Sequence, residues 1–246
     1  MRFEIYWKNC GISATDVPDA GSAAFAAAVG KHQAALQALC TPEALTNIEV
    51  QWSFRVPELG DAGACSLFGQ LAEQPYDLTE ILGGRTAANR RLLAEITAIV
   101  QYYREHSRSQ WFGVYQSRLN VAGEPVLVKL AYFGAESRAE FPLTAEFAKG
   151  SNNSAVGLSG QGRLINDVNA YVAEGGGYYT CDPKVKSEAC LPLFGANNQL
   201  VGILDSEAFE RHFFVGEELA LLIAVATTLS SGVFAAPPTL DAAEPL

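Results

Sequence analysis

The sequence predicts an α+β fold in which helices flank a mainly antiparallel sheet. Two strand-like runs, Ser187 to Phe194 and Gln199 to Leu204, are separated by Gly-Ala-Asn-Asn at 195–198. Glycine and asparagine tolerate the positive φ angles that hairpin turns need, so the two runs are expected to pair. Apolar residues recur at helical spacing before this hairpin, from Thr86 to Tyr103, and after it, from Phe214 to Leu229. Helices that bracket a block of hairpin-connected strands are typical of α+β domains.

Length and composition favour a globular domain that carries an extension. The chain has 246 residues and 49% hydrophobic content, enough to bury a sizeable core. We predict an N-terminal α/β extension of unknown role over residues 1–84 and the main domain over residues 85–234. The segment 235–246 is rich in proline and is predicted to be a mobile tail.

The charge balance argues against two classes of partner. The chain carries 17 basic and 27 acidic residues, a net charge of −10. Nucleic acid and anionic membrane surfaces attract concentrated positive charge, so we expect neither as the main partner. The longest apolar run, 219–229, is too short to span a bilayer. The first residues, MRFEIYWKNCG, lack the apolar core of a signal peptide, so a cytoplasmic location is expected.

Neither a metal nor a cofactor is expected. The 5 cysteines are an odd number without a CxxC pair, so reduced thiols are favoured over structural disulfides. The 3 histidines show no metal-ligand spacing. The glycines form neither a phosphate-binding loop nor a dinucleotide fingerprint, because the lysine and the strand-to-helix setting of such motifs are missing.

The first third of the chain yields three elements. Arg2 to Trp7 alternates like a short strand. The alanine-rich stretch from Ser22 to Leu39 has apolar residues at roughly helical intervals and predicts a helix. Asn47 to Val56 alternates strictly between apolar and polar residues and predicts a half-buried strand. This region could be a cap, an extra module or a dimerisation element.

The central region continues with strands and short elements. Trp111 to Tyr115 and Val126 to Phe133 are predicted strands. Asn153 to Ser159 is predicted to be a short helix, and Leu164 to Val168 a short extended element.

The predicted hairpin places chemically active groups on one face. Alternate residues of a strand point the same way, so Glu188 and Cys190 share a face. A carboxylate in the middle of an apolar strand is costly unless it meets a partner, although an edge-strand glutamate that faces water would avoid the cost. Cys181 lies just upstream, after three glycines and two tyrosines. Together these residues indicate a lined pocket for a small molecule.

The motifs of this region resemble those of a known superfamily. The pattern C-D-x-x-x-x-S-E over 181–188, an apolar run, and then V-G-I-L-D over 201–205 resemble the C-terminal half of GAF domains. The pattern is most similar to the free methionine-(R)-sulfoxide reductases, whose entry strand is similar to W-F-G-V-Y at 111–115. The resemblance covers roughly residues 85 to 232 and implies a GAF-like domain.

The resemblance implies roles for four polar residues. Cys181 would attack the sulfoxide sulfur and be left as a sulfenic acid, whereas a free cysteine is more commonly a buried apolar residue. Glu188 and Asp205 would hold the polar groups of the substrate. Glu207 stands where these reductases usually carry an aspartate.

The resemblance also implies aromatic pocket walls at Trp111 and Tyr115. Such rings suit a thioether and a cation. Ordinary core aromatics are the alternative interpretation.

The sequence departs from the reductases at two cysteines. The stretch 134–157, where the reductases carry two further cysteines, contains none. The resolving thiol of the family is therefore missing, and Cys190 or an external thiol reductant could replace it. The alternative is a non-catalytic GAF sensor or binding module. A further alternative is a scaffold that forms a homodimer through the helices at 86–103 and 214–229.

Overall fold

The computed structural model describes residues 3–12, 17–60, 66–178 and 182–235. Cys181 and all of the predicted tail except Ala235 lie outside the described residues. In the described part of the chain, none of the helices combines the length and the apolar character needed to cross a membrane.

The centre of the fold is a six-stranded sheet in which every neighbouring pair is antiparallel. Its strands are β5 (Trp111–Leu119), β6 (Pro125–Phe133), β7 (Glu140–Pro142), β8 (Arg163–Ile165), β9 (Ser187–Phe194) and β10 (Leu200–Ala208). The spatial order is β7-β6-β5-β10-β9-β8. The predicted α+β class with a mainly antiparallel sheet is confirmed, and the hairpin predicted around 195–198 joins β9 to β10.

Two long helices cover one face of this sheet. They are α5 (Ala87–His106) and α8 (Gly216–Ser231). The Thr86 hydroxyl caps α5 by accepting from the backbone N–H of Asn89 at 3.1 Å. Every residue of α8 from Leu219 to Ser230 is buried, as expected for a helix that is apolar on all sides.

The other face carries α6 (Asn152–Ser159), with α7 (Val168–Ala173) beside the edge strand. The short helix predicted at 153–159 and the extended element predicted at 164–168 correspond to α6 and to β8, respectively. Ser151 caps α6 by accepting from the backbone N–H of Ser154 at 3.2 Å.

The described part of the N-terminal region contains a 3-10 turn (Pro18–Gly21) and four α-helices: α1 (Phe3–Asn9), α2 (Ala23–Leu39), α3 (Pro42–Leu45) and α4 (Leu78–Leu82). The predicted strand at Arg2 to Trp7 is wrong, since described residues 3–9 are helical. Helical spacing lets Phe3 and Trp7 both contact the Phe25 ring, at centroid distances of 5.6 and 6.3 Å. The burial of these rings against α2 overrides the strand-like alternation.

Only two residues of the segment 47–56 pair with another strand. β1 (Ser53–Phe54) pairs with β4 (Tyr76–Asp77), and β2 (Pro57–Leu59) pairs with β3 (Ser66–Leu71). The predicted alternation is present, because Phe54 is buried while Glu49, Gln51 and Ser53 are exposed. A full strand is not formed.

The N-terminal region shares one hydrophobic core with the helical face of the sheet. α2 packs along α8. The buried His32 of α2 contacts the Tyr102 hydroxyl at 2.8 Å and the Glu217 carboxylate at 3.2 Å. One consequence is that the chain's own α2 covers α8.

Candidate functional site

The register of the sheet gathers the acidic residues on the face that carries α6. Glu207 of β10 lies directly opposite Glu188 of β9, and Asp205 lies opposite Cys190. Directly paired residues share a face, so three carboxyls and a thiol project to the same side.

Glu188 is held by other protein groups. It is 5% exposed, and its Oε1 accepts from Asn152 Nδ2 at 3.0 Å. The Tyr178 hydroxyl donates a further hydrogen bond to Glu188. Arg163 Nη1 in turn donates to Asn152 Oδ1 at 2.9 Å. Burial raises the pKa of Glu188, and the hydrogen bonds from Tyr178 and Asn152 oppose that rise.

A side chain engages Asp205 at only one of its two oxygens. It is 4% exposed, and its Oδ2 accepts from Asn153 Nδ2 at 3.2 Å. Its Oδ1 is buried and has no hydrogen-bond partner among the described residues. Burial raises the pKa of Asp205 well above its usual range, and the neighbouring charges of Glu188 and Glu207 raise it further. Hydrogen bonds from the Asn153 amide and from the backbone N–H of Ser206 oppose that rise.

Glu207 shares this electrostatic setting but is only half-buried. Burial raises the pKa of Glu207 from its usual 4.5 to about 8, and repulsion from Glu188 and Asp182 contributes. The three carboxyls therefore repel one another, and with a pKa of about 8 Glu207 retains its proton near neutral pH.

A cavity of about 60 Å³ opens beside these carboxyls. Four of its lining residues are acidic and four are aromatic: Glu136, Asp182, Asp205 and Glu207, and Trp111, Tyr115, Phe141 and Phe209. One buried water needs at least roughly 10–15 Å³, so the cavity holds a few waters or one small ligand.

The structure brings together four of the predicted site residues. Trp111, Tyr115, Asp205 and Glu207 all line the cavity. Glu188 lies behind them on the same face. Cys181 directly precedes the cavity-lining Asp182, but its own position lies outside the described residues.

The aromatic wall at Trp111 is held from several sides. Its indole N–H donates to the Ala135 carbonyl at 3.0 Å, and its ring stacks on Tyr132 with centroids 6.2 Å apart. A Cβ at Gly113 would lie 2.4 Å from the Trp111 ring, so a larger residue there would displace the ring. The wall is therefore fixed before any ligand arrives.

The predicted second thiol, Cys190, is fully buried. Burial raises its pKa well above the usual value, and the charges of Asp205 and Glu188 raise it further. A neutral thiol is favoured at this position, which lowers its nucleophilicity. The other described cysteines, Cys10 and Cys40, belong to the N-terminal region, and burial raises their pKa values to about 11 and about 12.

Four polar residues of the site carry no role predicted from the sequence: Asn152, Asn153, Arg163 and Tyr178. The signal that could have found the first two is the polar run Ser151 to Ser154 at the start of a predicted helix. The four residues of that run are buried, so their polar groups need partners inside the protein.

The chain matches no protein-family model and no curated protein. Among solved structures it is similar to a type II free methionine-R-sulfoxide reductase from Thermoplasma acidophilum, with 21% identity over 59% of this chain and 94% of that chain and a TM-score of 0.49. It is also similar to a free methionine-R-sulfoxide reductase from Neisseria meningitidis in complex with its substrate, with 18% identity, 61% and 80% coverage and a TM-score of 0.47. A GAF domain region from Geobacter sulfurreducens is 16% identical, with 58% and 96% coverage and a TM-score of 0.44.

Proposed function

We propose that the protein binds free methionine-(R)-sulfoxide in this cavity and reduces it with the thiol of Cys181. One observation carries the proposal: Asp205 lines the cavity, and its buried Oδ1 has no hydrogen-bond partner among the described residues. A buried acceptor without a partner costs free energy that a donor on a ligand recovers. The ammonium group of an amino acid is such a donor, and aromatic walls suit its apolar body.

The proposed chemistry transfers one oxygen atom to the enzyme. The sulfur of Cys181 attacks the sulfoxide sulfur and forms an S–S bond. The oxygen then transfers from the methionine sulfur to the cysteine sulfur as that S–S bond breaks, so methionine leaves as the reduced thioether and Cys181, oxidised by two electrons, becomes a sulfenic acid. A carboxyl that stays protonated near neutral pH can donate a proton to the departing oxygen. Glu207, with its pKa raised to about 8, is suited to that donation.

The cycle closes when a reductant returns the sulfenic acid to a thiol. Two equivalents of an external thiol would form a disulfide and release water. Cys190 remains a predicted alternative for this step. Its burial and raised pKa make it a poor nucleophile in the described conformation, so we favour an external reductant.

A second candidate function is a non-catalytic GAF sensor that binds a small amine-bearing molecule. The observation that favours it lies in α6. Asn152 and Asn153 stand around the position where the reductases carry one of their further cysteines, and both amides are hydrogen-bonded to carboxyls. The site is thus complete as a binding pocket without the second redox thiol.

The predicted homodimer through the helices at 86–103 and 214–229 stays a prediction. Since α2 covers α8 within the chain, a second copy would have to contact mainly the exposed side of α5, which includes Arg91, Gln101 and Arg104. We keep the cytoplasmic location as a proposal, because a free thiol nucleophile requires a reducing compartment.

The test is turnover of free methionine-(R)-sulfoxide with dithiothreitol, comparing the native chain with Cys181→Ala. We expect activity in the native chain and only background in the variant. Cys40→Ala, a half-buried cysteine of the N-terminal region, serves as the control and should keep its activity.

Calorimetric titration with the same compound separates the two candidates. Binding without turnover in the native chain would reject the reductase and favour the sensor. If the native chain neither bound nor reduced the compound, methionine sulfoxide would be rejected as the ligand under both candidate functions.

A further inference from the structure

Two consecutive asparagines at the start of α6 connect this helix to two different strands. Asn152 and Asn153 are 5% and 4% exposed. Asn152 donates to Glu188 of β9 at 3.0 Å, and Asn153 donates to Asp205 of β10 at 3.2 Å. Successive residues of a helix point about 100° apart, which lets one turn serve two neighbouring strands.

The two amides act in different surroundings. Asn152 belongs to a chain of hydrogen bonds that runs from Arg163 through its own amide to Glu188, and Tyr178 adds a donor to the same carboxyl. The carboxyl of Glu188 is therefore engaged by helix, edge strand and loop. It is part of the framework of the site.

The Asn153 amide engages only one oxygen of the Asp205 carboxyl. Its amide holds Oδ2 of Asp205, and Oδ1 is left buried without a partner among the described residues. A carboxyl group is planar, so fixing one oxygen fixes the direction of the other. Asp205 lines the cavity, and Oδ1 is the carboxyl oxygen for which the described residues supply no donor.

We infer that Asn153 is a positioning residue that aims Oδ1 of Asp205 at the ligand, while Asn152 fixes Glu188 as framework. The ligand group met by Oδ1 is a hydrogen-bond donor such as an ammonium group. The identity of that ligand rests on the proposed function, but the division between the two carboxyls is a property of the free protein.

The first arm of the test needs no ligand. The carboxyl carbon of Asp205, labelled with ¹³C and assigned by its loss in Asp205→Asn, is titrated by NMR. The Asn153 amide favours the charged carboxylate. Asn153→Ala should therefore raise the titration midpoint of Asp205 by about one pH unit. Asn152→Ala should shift it less, and Asn169→Ala, an exposed asparagine of α7, should not shift it.

The second arm measures binding of methionine-(R)-sulfoxide at pH 7 by calorimetry. Asn153→Ala should weaken binding about tenfold. Asn152→Ala should weaken it less while lowering the melting temperature at least as much. If Asn153→Ala does not fold, Asn153→Leu replaces the amide with a side chain of similar volume and tests the same donor.

The outcomes separate the inference from the proposed function. Suppose that Asn153→Ala raises the titration midpoint of Asp205 but the native chain does not bind methionine sulfoxide. That result would reject the ligand and support the positioning role of Asn153. An unchanged Asp205 midpoint would overturn the positioning role, whether or not binding changes. If the native chain binds the ligand and Asn153→Ala binds it with the same affinity, the positioning role is overturned as well.

Discussion

The two faces of the central sheet are built from alternate residues of the same strands, yet they serve different purposes. On β10, Leu204 belongs to the large core beneath the helices, and Ser206 bonds to Tyr103 of α5 at 3.1 Å. Asp205 and Glu207, one residue away in each case, line the cavity beside α6. The helical face is apolar and continuous with the N-terminal region, whereas the site face has a small apolar cluster interrupted by carboxyls. The main apolar core therefore lies on one face of the sheet, and the buried carboxyls lie on the other.

The largest effect is expected from removing a side chain on the helical face. Leu204 is fully buried in the main core. Leu204→Ala should lower the free energy of unfolding by about 2–5 kcal/mol, because it creates a cavity in a packed core. Urea denaturation measures the loss. Leu158→Ala, at a leucine that is 48% exposed, is the control and should change stability little.

The separation of faces also predicts that the folded Leu204→Ala protein keeps its affinity for the ligand below its melting temperature. A loss of affinity comparable to that of Asp205→Asn would show that the two faces are not independent.

A smaller effect on stability is expected from a substitution on the site face, and there the substitution should stabilise the protein at high pH. Because the pKa of Glu207 rises to about 8 in the folded state, the folded protein holds a proton that the unfolded chain releases near pH 4.5. Stability should therefore fall as pH rises from about 4.5 to about 8. Glu207→Gln should remove part of that fall, about 1–2 kcal/mol after allowance for partial exposure.

Urea denaturation at pH 5 and at pH 8 checks the sign. Glu105→Gln, at an exposed position of α5, should leave the pH dependence unchanged. If Glu207→Gln made the protein less stable at pH 8, the mutual repulsion of the site carboxyls would be refuted.

The smallest effect is expected where a framework carboxyl loses one of several donors. Tyr178→Phe removes one hydrogen bond from Glu188 and keeps the ring. We expect a loss of about 0.5–1.5 kcal/mol, since Asn152 still engages the carboxyl. Thermal denaturation compared with Tyr171→Phe measures it. A loss as large as that of Leu204→Ala would mean that Glu188 depends on this single donor.

Elements decided by local interactions were predicted correctly from the sequence, and elements decided by contacts between distant segments were not. The β9–β10 hairpin and helices α5 and α8 were predicted because their apolar periodicity is local and agrees with their final burial. The N-terminal strand prediction failed at Phe3 and Trp7 because their packing partner, Phe25, lies in another helix. The alternation at 47–56 correctly separated buried from exposed residues, but it could not show that pairing is limited to Ser53–Phe54.

The candidate site shows the same division. Strand alternation placed Glu188 with Cys190, and the family resemblance singled out Asp205, Glu207, Trp111 and Tyr115. Neither could show that Asn153 engages only one oxygen of Asp205, because that contact joins residues 52 positions apart.

By itself, the sequence determined the α+β class, the hairpin and the face on which the carboxyls lie, since these depend on periodicities of two and 3.6 residues. The tertiary structure decided which carboxyl oxygens receive hydrogen bonds from the described residues and which, like Oδ1 of Asp205, do not. It also decided that α2 covers α8. Both outcomes depend on distant segments that meet only in the folded chain. Burial there raises the free energy that each hydrogen bond contributes and the cost of each polar group without a partner.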